Sequence, residues 1–161
     1  MSPRVRKGVI VALLHVALVA TLGAKMLVDR ATRPRVWARV VPYDPDLPMR
    51  GRYVRMVIEG AADPSIQTAY YGNFVPTARN GELVFLPAGD NGQYGSVQLR
   101  EGRFVVRLNG ALAYFIPEHV PDPSIRPTGE ELWVEVTLPR RGAPRPIRLG
   151  VKKDGNLSPI D

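Results

Sequence analysis

An uncharged apolar run near the N-terminus constrains the fold of this chain more than any other feature. Residues 8–24 contain no charged side chain, and basic residues stand directly before them. The run extends to residue 28 if the Lys25 side chain reaches the membrane surface along its own aliphatic stem. Residues 8–28 would then span about 30 Å of hydrocarbon as a helix. We therefore predict a transmembrane signal-anchor helix over these residues.

The charges beside this run predict its orientation. Arg4, Arg6 and Lys7 precede it, and no acidic residue does. Because basic flanks stay on the cytoplasmic side, the N-terminus is predicted to be cytoplasmic, in the inner or plasma membrane of a bacterium, and the C-terminal part periplasmic. The alternative is a signal peptide that is removed by cleavage after Gly23 or Ala24.

The predicted organisation is a basic flank (1–7), the anchor (8–28) and one exported domain (29–161). The chain has no cysteine, which excludes disulfides, a thiol nucleophile and cysteine zinc sites. The formal net charge is +7, to which the basic flank contributes. A mildly basic exported domain suits anionic lipid or an acidic partner, and nucleic acid is not an expected partner there.

The exported part shows the residue alternation of half-buried β-strands. Val54, Met56 and Ile58 fall on one face of a strand, with Arg55 and Glu59 on the other, and the same period of two recurs in residues 103–108, 131–138 and 147–152. Antiparallel sheets with one buried face produce this pattern. We therefore predict an all-β domain, an antiparallel sandwich or partly open barrel of about eight strands.

Short turn motifs separate these strand candidates. Asn80-Gly81, Asp90-Asn91-Gly92, Glu101-Gly102, Asn109-Gly110 and Asp154-Gly155 stand where the chain is expected to reverse. The breaks at Gly102 and Gly110 bracket one short strand, so residues 97–116 are predicted to form a three-strand meander.

Two short regions carry a resemblance to a known family. Residues 42–59 read PYDPDLPMRGRYVRMVIE, and residues 114–118 read YFIPE. Together they resemble the GDYXXLXY family of bacterial envelope proteins, whose members have an N-terminal membrane segment. The resemblance implies an anchored protein that acts near a polytopic membrane protein, and it implies no enzymatic activity. The matching residues are Asp44, Pro45, Arg50, Gly51, Tyr53, Tyr114, Phe115, Pro117 and Glu118.

The first of these regions departs from the family signature and allows two interpretations. Arg52 stands where the family has an aspartate, so a role of that aspartate cannot be assigned to this chain. Met56 stands where the family has a leucine and can keep the same apolar contact. The region is either a structural corner, in which Gly51 and the inward-facing apolar residues matter most, or an interaction surface. The candidate surface consists of Arg50, Arg52, Tyr53 and Arg55.

No residue pattern predicts catalysis, a metal site or a cofactor. His119 is the only histidine of the exported part, and the serines lack the context of a nucleophile elbow. A lone histidine beside Glu118 does not have the spacing of metal ligands.

We therefore predict a non-catalytic domain that binds or supports a polytopic membrane protein. One alternative is a module for a glycan or lipid, which would show an aromatic-lined pocket with a few polar groups. A second is a hydrolase, which would require carboxylates or His119 to converge in a cleft.

Overall fold

The computed structural model describes residues 3–43, 53–117, 119–140 and 142–160. The chain divides between Arg33 and Pro34 into two compact units. The first contains the helix α1 (Pro3–Thr32). Pro3 suits the first turn of a helix because its φ angle is already helical. The helix ends before Pro34 because a proline disfavours helical geometry in the residue that precedes it.

Helix α1 is long and apolar enough to cross a membrane. It contains the predicted span and extends beyond it at both ends. Its polar side chains bond within the helix: the Thr21 hydroxyl donates to the Ala17 carbonyl at 2.7 Å, and His15 Nδ1 lies 2.8 Å from the Val11 carbonyl oxygen. Such local bonds meet the requirement of a hydrocarbon environment, where water cannot satisfy polar groups.

The second unit is all-β, which confirms the predicted fold class. Nine strands lie within the described residues, close to the number expected. Their bounds are β1 (Arg35–Pro42), β2 (Tyr53–Ala62), β3 (Tyr71–Arg79), β4 (Glu82–Ala88), β5 (Gln93–Arg100), β6 (Arg103–Phe115), β7 (Glu130–Thr137), β8 (Arg145–Lys153) and β9 (Asn156–Pro159).

The strands form one sheet in the order β2-β6-β5-β3-β4-β1-β7-β8-β9. Further pairings of β2 with β4 and with β1 fold this sheet back on itself. Strands β2, β6, β5, β3 and β4 thus close into a barrel, and β1 carries β7, β8 and β9 away from it as an extension. Of the two predicted forms, a sandwich and a partly open barrel, the domain therefore takes the barrel, which the pairing of β2 with β4 closes.

Strand β2 changes partner along its length, and this change positions the site described below. Its middle pairs antiparallel with β1, from Met56 to Glu59. Its end pairs parallel with β4, where Ala61 and Ala62 lie opposite Val84 and Phe85. Between these two pairings β1 and β4 share a single pair of residues, so the sheet separates there.

Three of the five turn motifs form the predicted hairpins. Asp90-Asn91-Gly92 does not, because the strands that it joins, β4 and β5, both pair antiparallel with β3 and so run in the same direction. Asn80-Gly81, Glu101-Gly102 and Asp154-Gly155 each have a positive φ angle at both residues, between 49° and 81°. Two consecutive positive φ angles are the mark of the type I′ turn, whose twist matches that of antiparallel strands. They connect β3 to β4, β5 to β6 and β8 to β9.

The predicted three-strand meander is wrong, because β6 runs through Asn109-Gly110 without reversing. Val57 of β2 lies opposite Ala111 of β6, and the next pair is Glu59 opposite Arg107. One residue of β2 separates these two pairs, but three residues of β6 do. The two additional residues of β6 form a bulge. An Asn-Gly pair suits a bulge as well as a turn, since both disrupt the regular ladder.

The core occupies the space that the barrel and its extension enclose. Met56, Ile58, Phe74, Phe85 and Val106 have no exposed surface. They come from β2, β3, β4 and β6, so the alternation seen in the sequence correctly identifies the inward face of β2.

Candidate functional site

A half-open cleft with a volume of about 420 Å³ lies where β2 changes partner. Residues from seven strands line it, and most of them are apolar. The lining includes Trp37 and Trp133, which are the two tryptophans of the whole chain. We call this site the tryptophan cleft. Its principal apolar residues are Trp37, Gly60, Leu83, Phe104, Trp133 and Leu157.

Strand alternation places both indoles on the outer face of the sheet. Val36 and Ala38, the neighbours of Trp37 on β1, are buried. On β7 the same holds for Leu132 and Val134, which flank Trp133. Because successive side chains of a strand point to opposite faces, both tryptophans project away from the core and remain half-buried.

Gly150 on β8 allows the Trp37 ring to lie against the sheet. A Cβ atom on Gly150 would lie 2.7 Å from the ζ3 carbon of Trp37 and 3.0 Å from its η2 carbon. Carbon atoms in ordinary contact are about 3.5–4.0 Å apart, so no side chain fits at this position without displacing the indole.

Each indole is covered on one side by a cation of the protein. The Arg148 guanidinium carbon lies 5.4 Å from the centre of the Trp37 ring, and Lys152 Nζ lies 4.7 Å from that of Trp133. The Trp133 indole also donates a hydrogen bond to the Glu131 carboxylate at 3.1 Å. Cation–π contacts of this kind hold the rings in a defined orientation.

A buried carboxylate forms part of the cleft wall. Glu59 is only 5% exposed, and its carboxylate accepts a hydrogen bond from Arg100 at 2.8 Å. Arg39 lies 3.8 Å from the same carboxylate oxygen and 3.1 Å from the Glu131 carboxylate. Because buried charges require such partners, the charge of Glu59 is compensated within the protein.

The predicted interaction surface is described only in part. Arg50 and Arg52 lie outside the described residues. Tyr53 and Arg55 line a second, smaller pocket of about 290 Å³, and the Arg55 guanidinium lies 5.5 Å from the centre of the Tyr43 ring. The Tyr53 hydroxyl is buried and has no hydrogen-bond partner among the described residues.

The structure brings together the two regions that carry the family resemblance. Tyr53 on β2 lies opposite Phe115 on β6, and Val54 lies opposite Tyr114. Pro117 follows β6 and is exposed. The remaining motif residues lie outside the described residues; they are Asp44, Pro45, Arg50, Gly51 and Glu118.

No catalytic arrangement is visible in the described part of the chain. His119 is exposed in the segment that follows β6. No group of three or more histidine, aspartate or glutamate side chains in these residues is placed to hold a metal ion. The chemistry that the tryptophan cleft offers is apolar contact, aromatic contact and positive charge.

Neither tryptophan was among the site residues predicted from the sequence, although both stand in a pattern that indicates an exposed ring. Both stand at polar positions of alternating strands, between Val36 and Ala38 and between Leu132 and Val134. A large aromatic side chain that points outward from a strand exposes apolar surface. Where two such side chains lie on paired strands, the exposed patch often marks a binding site.

Comparison with known proteins adds no relative: no family model, no curated protein sequence and no solved structure matches this chain. The resemblance to the GDYXXLXY family therefore stays a prediction that rests on the quoted residues.

Replacing Gly150 by alanine tests the packing of the cleft. We expect Gly150→Ala to lower the free energy of unfolding by about 1–3 kcal/mol, because the new Cβ collides with the Trp37 ring. Denaturant unfolding of the full chain in zwitterionic nanodiscs, followed by tryptophan emission, measures this change.

The control is Gly110→Ala, since a Cβ there meets nothing within 4 Å. We expect this exposed change to stay within about 0.5 kcal/mol. Equal stability of the two variants would contradict the contact between Gly150 and Trp37.

Proposed function

We propose that this protein is a single-pass, membrane-anchored and non-catalytic binding protein of the bacterial envelope. In this proposal α1 spans the inner or plasma membrane, and the β domain acts on the periplasmic side. The basic residues before the apolar run support this orientation, because such flanks are retained in the cytoplasm. The resemblance of residues 42–59 and 114–118 to the GDYXXLXY family supports the same assignment.

The tryptophan cleft is the observation that carries the binding role. Its volume falls within the range of about 300–1,000 Å³ that is common for small-molecule sites. Such sites combine mostly apolar and aromatic walls with a few polar groups. Here Arg39, Glu59, Glu82, Arg103 and Lys152 supply the charged groups around the two indoles. The cleft therefore favours a binding module for a ligand.

A second candidate function, binding to a polytopic membrane protein, is favoured by an exposed aromatic patch. Tyr71 is 71% exposed and Tyr94 is 54% exposed, and their rings stack with centres 6.4 Å apart. Val75 is exposed on the same strand as Tyr71 and points to the same face of the sheet. We call these three residues the tyrosine patch. Tyrosine contributes strongly to protein interfaces because it buries a large ring at a low cost in conformational entropy.

A reporter fusion tests the proposed topology. Alkaline phosphatase, which is active only outside the cytoplasm, should be active when fused after Asp161 and inactive when fused before Met1. The full-length chain should also remain in the membrane fraction after a carbonate wash. Release of a soluble product cut near Ala24 would contradict the anchor and indicate a cleaved signal peptide.

Affinity capture from solubilised membranes tests the second candidate. We expect the double variant Tyr71→Ala, Tyr94→Ala to lower the yield of a captured membrane protein at least about tenfold, as expected of residues at the centre of an interface. Mass spectrometry of the captured material measures the yield.

The matched control is Leu99→Ala, because Leu99 is also exposed but lies outside the tyrosine patch. Unchanged capture by the tyrosine variant would refute the patch as the site for a partner. If Trp133→Ala alone abolishes capture, the partner binds at the tryptophan cleft and not at the tyrosine patch.

A further inference from the structure

The groups that line the tryptophan cleft restrict the chemical class of its ligand. This inference rests on the proposed role of the cleft as a binding site and names what it binds. The relevant observations are the occupied faces of the indoles, the absence of neutral polar side chains from the lining, and the distribution of charge around it.

A cationic ligand is disfavoured by the protein's own cations. Aromatic cages bind quaternary ammonium groups through the faces of their rings. In this cleft Arg148 already lies over Trp37, and Lys152 lies over Trp133. A cation that entered would meet like charges beside the rings that it needs.

A sugar is disfavoured by the composition of the lining. Specificity for a hydroxyl-rich ligand needs several precisely placed hydrogen-bonding groups. No asparagine, glutamine, serine, threonine or tyrosine belongs to the lining that the described residues form, and two of its other hydrogen-bonding groups are already engaged: Glu59 accepts from Arg100, and the Trp133 indole donates to Glu131. The apolar part of the wall, which includes Leu83, Phe104 and Leu157, instead suits a hydrocarbon chain. Burying such a chain stabilises the complex because it removes apolar surface from water.

The charge around the cleft favours an anion. Glu59 is compensated by Arg100 and Arg39. Arg103 and Lys152 have no salt-bridge partner among the described residues. Glu82 is the one carboxylate of the lining left to oppose them, because Glu131, which lies opposite Lys152 on β7, is bound by Arg39 and by the Trp133 indole. An ionised head group would therefore find positive charge within reach of the apolar wall.

We propose that the tryptophan cleft binds a single-chain anionic amphiphile of the fatty-acid type, with its hydrocarbon chain against the indoles and Phe104 and its carboxylate beside Lys152 and Arg103. The ligand is a free monomer in this proposal, and the cleft is not a docking surface for an anionic bilayer.

Tryptophan fluorescence reports directly on this site, because both tryptophans of the chain line the cleft and helix α1 contains none. The probe is ω-bromoundecanoate, whose bromine quenches an indole on contact. The full chain is held in nanodiscs of uncharged phosphatidylcholine and titrated with this probe, with the alcohol ω-bromoundecanol, and with the short acid bromopropionate.

We expect saturable quenching by ω-bromoundecanoate, with an affinity at least about tenfold higher than that of the alcohol, and no saturable quenching by bromopropionate. Lys152→Gln should weaken binding of the acid about tenfold and leave binding of the alcohol unchanged. Lys153→Gln is the matched control, since Lys153 neighbours Lys152 on β8 but does not line the cleft; it should bind the acid as the unaltered chain does.

Equal affinity for the acid and the alcohol would refute the anionic head group, and absence of saturable quenching would refute the acyl ligand. Quenching that requires nanodiscs of brominated anionic lipid would show that the cleft meets a membrane surface, and would also overturn the proposal. The topology and capture experiments do not use these probes, so the proposed function can fail or stand independently of this result.

Discussion

The change of partner along β2 is the constraint on which the architecture of the β domain depends. Strand β2 pairs with β6 along one edge, and with β1 and then β4 along the other. Gly60 lies at the change. A Cβ atom there would be 2.8 Å from the Phe85 ring and 2.9 Å from the Leu83 carbonyl oxygen. Only a residue without a side chain lets β4 approach closely enough to close the barrel.

The tryptophan cleft follows from this closure. β1 pairs with the edge of β2 up to Glu59, and β4 pairs with the same edge from Ala61 onward. Because β1 and β4 hardly pair with each other, a gap opens between them beside Gly60. The extension that β1 carries then covers part of the gap with the indoles of Trp37 and Trp133. Gly150 and two cations hold these rings in place. The same glycine-dependent packing thus produces both the fold and its largest apolar recess among the described pockets.

The features that could be predicted from the sequence are those that depend on residues close together in the chain. Period-two alternation identified the buried face of β2, and the Asn-Gly, Glu-Gly and Asp-Gly pairs predicted three hairpins. At Asn109-Gly110 the same motif became a bulge, because β2 pairs with β6 on both sides of it. The cleft could not be predicted, since Gly60 and Gly150 are required by Phe85 and Trp37, residues that are distant in the sequence. The interaction surface stays a prediction because Arg50 and Arg52 lie outside the described residues.

The contact between Gly150 and Trp37 tests the proposed packing of the tryptophan cleft most directly. The contact forms only if β1, β7 and β8 pair in the described register, so that the Trp37 ring reaches over β7 to β8. Nuclear Overhauser spectra of the full chain in nanodiscs should show strong cross-peaks from the Gly150 α-protons to the ζ3 and η2 protons of Trp37. These peaks should disappear in Trp37→Leu and persist in Trp133→Leu. Spectra that show the cross-strand neighbours Trp133 and Gly150 in contact, but no peak between Gly150 and Trp37, would contradict the account.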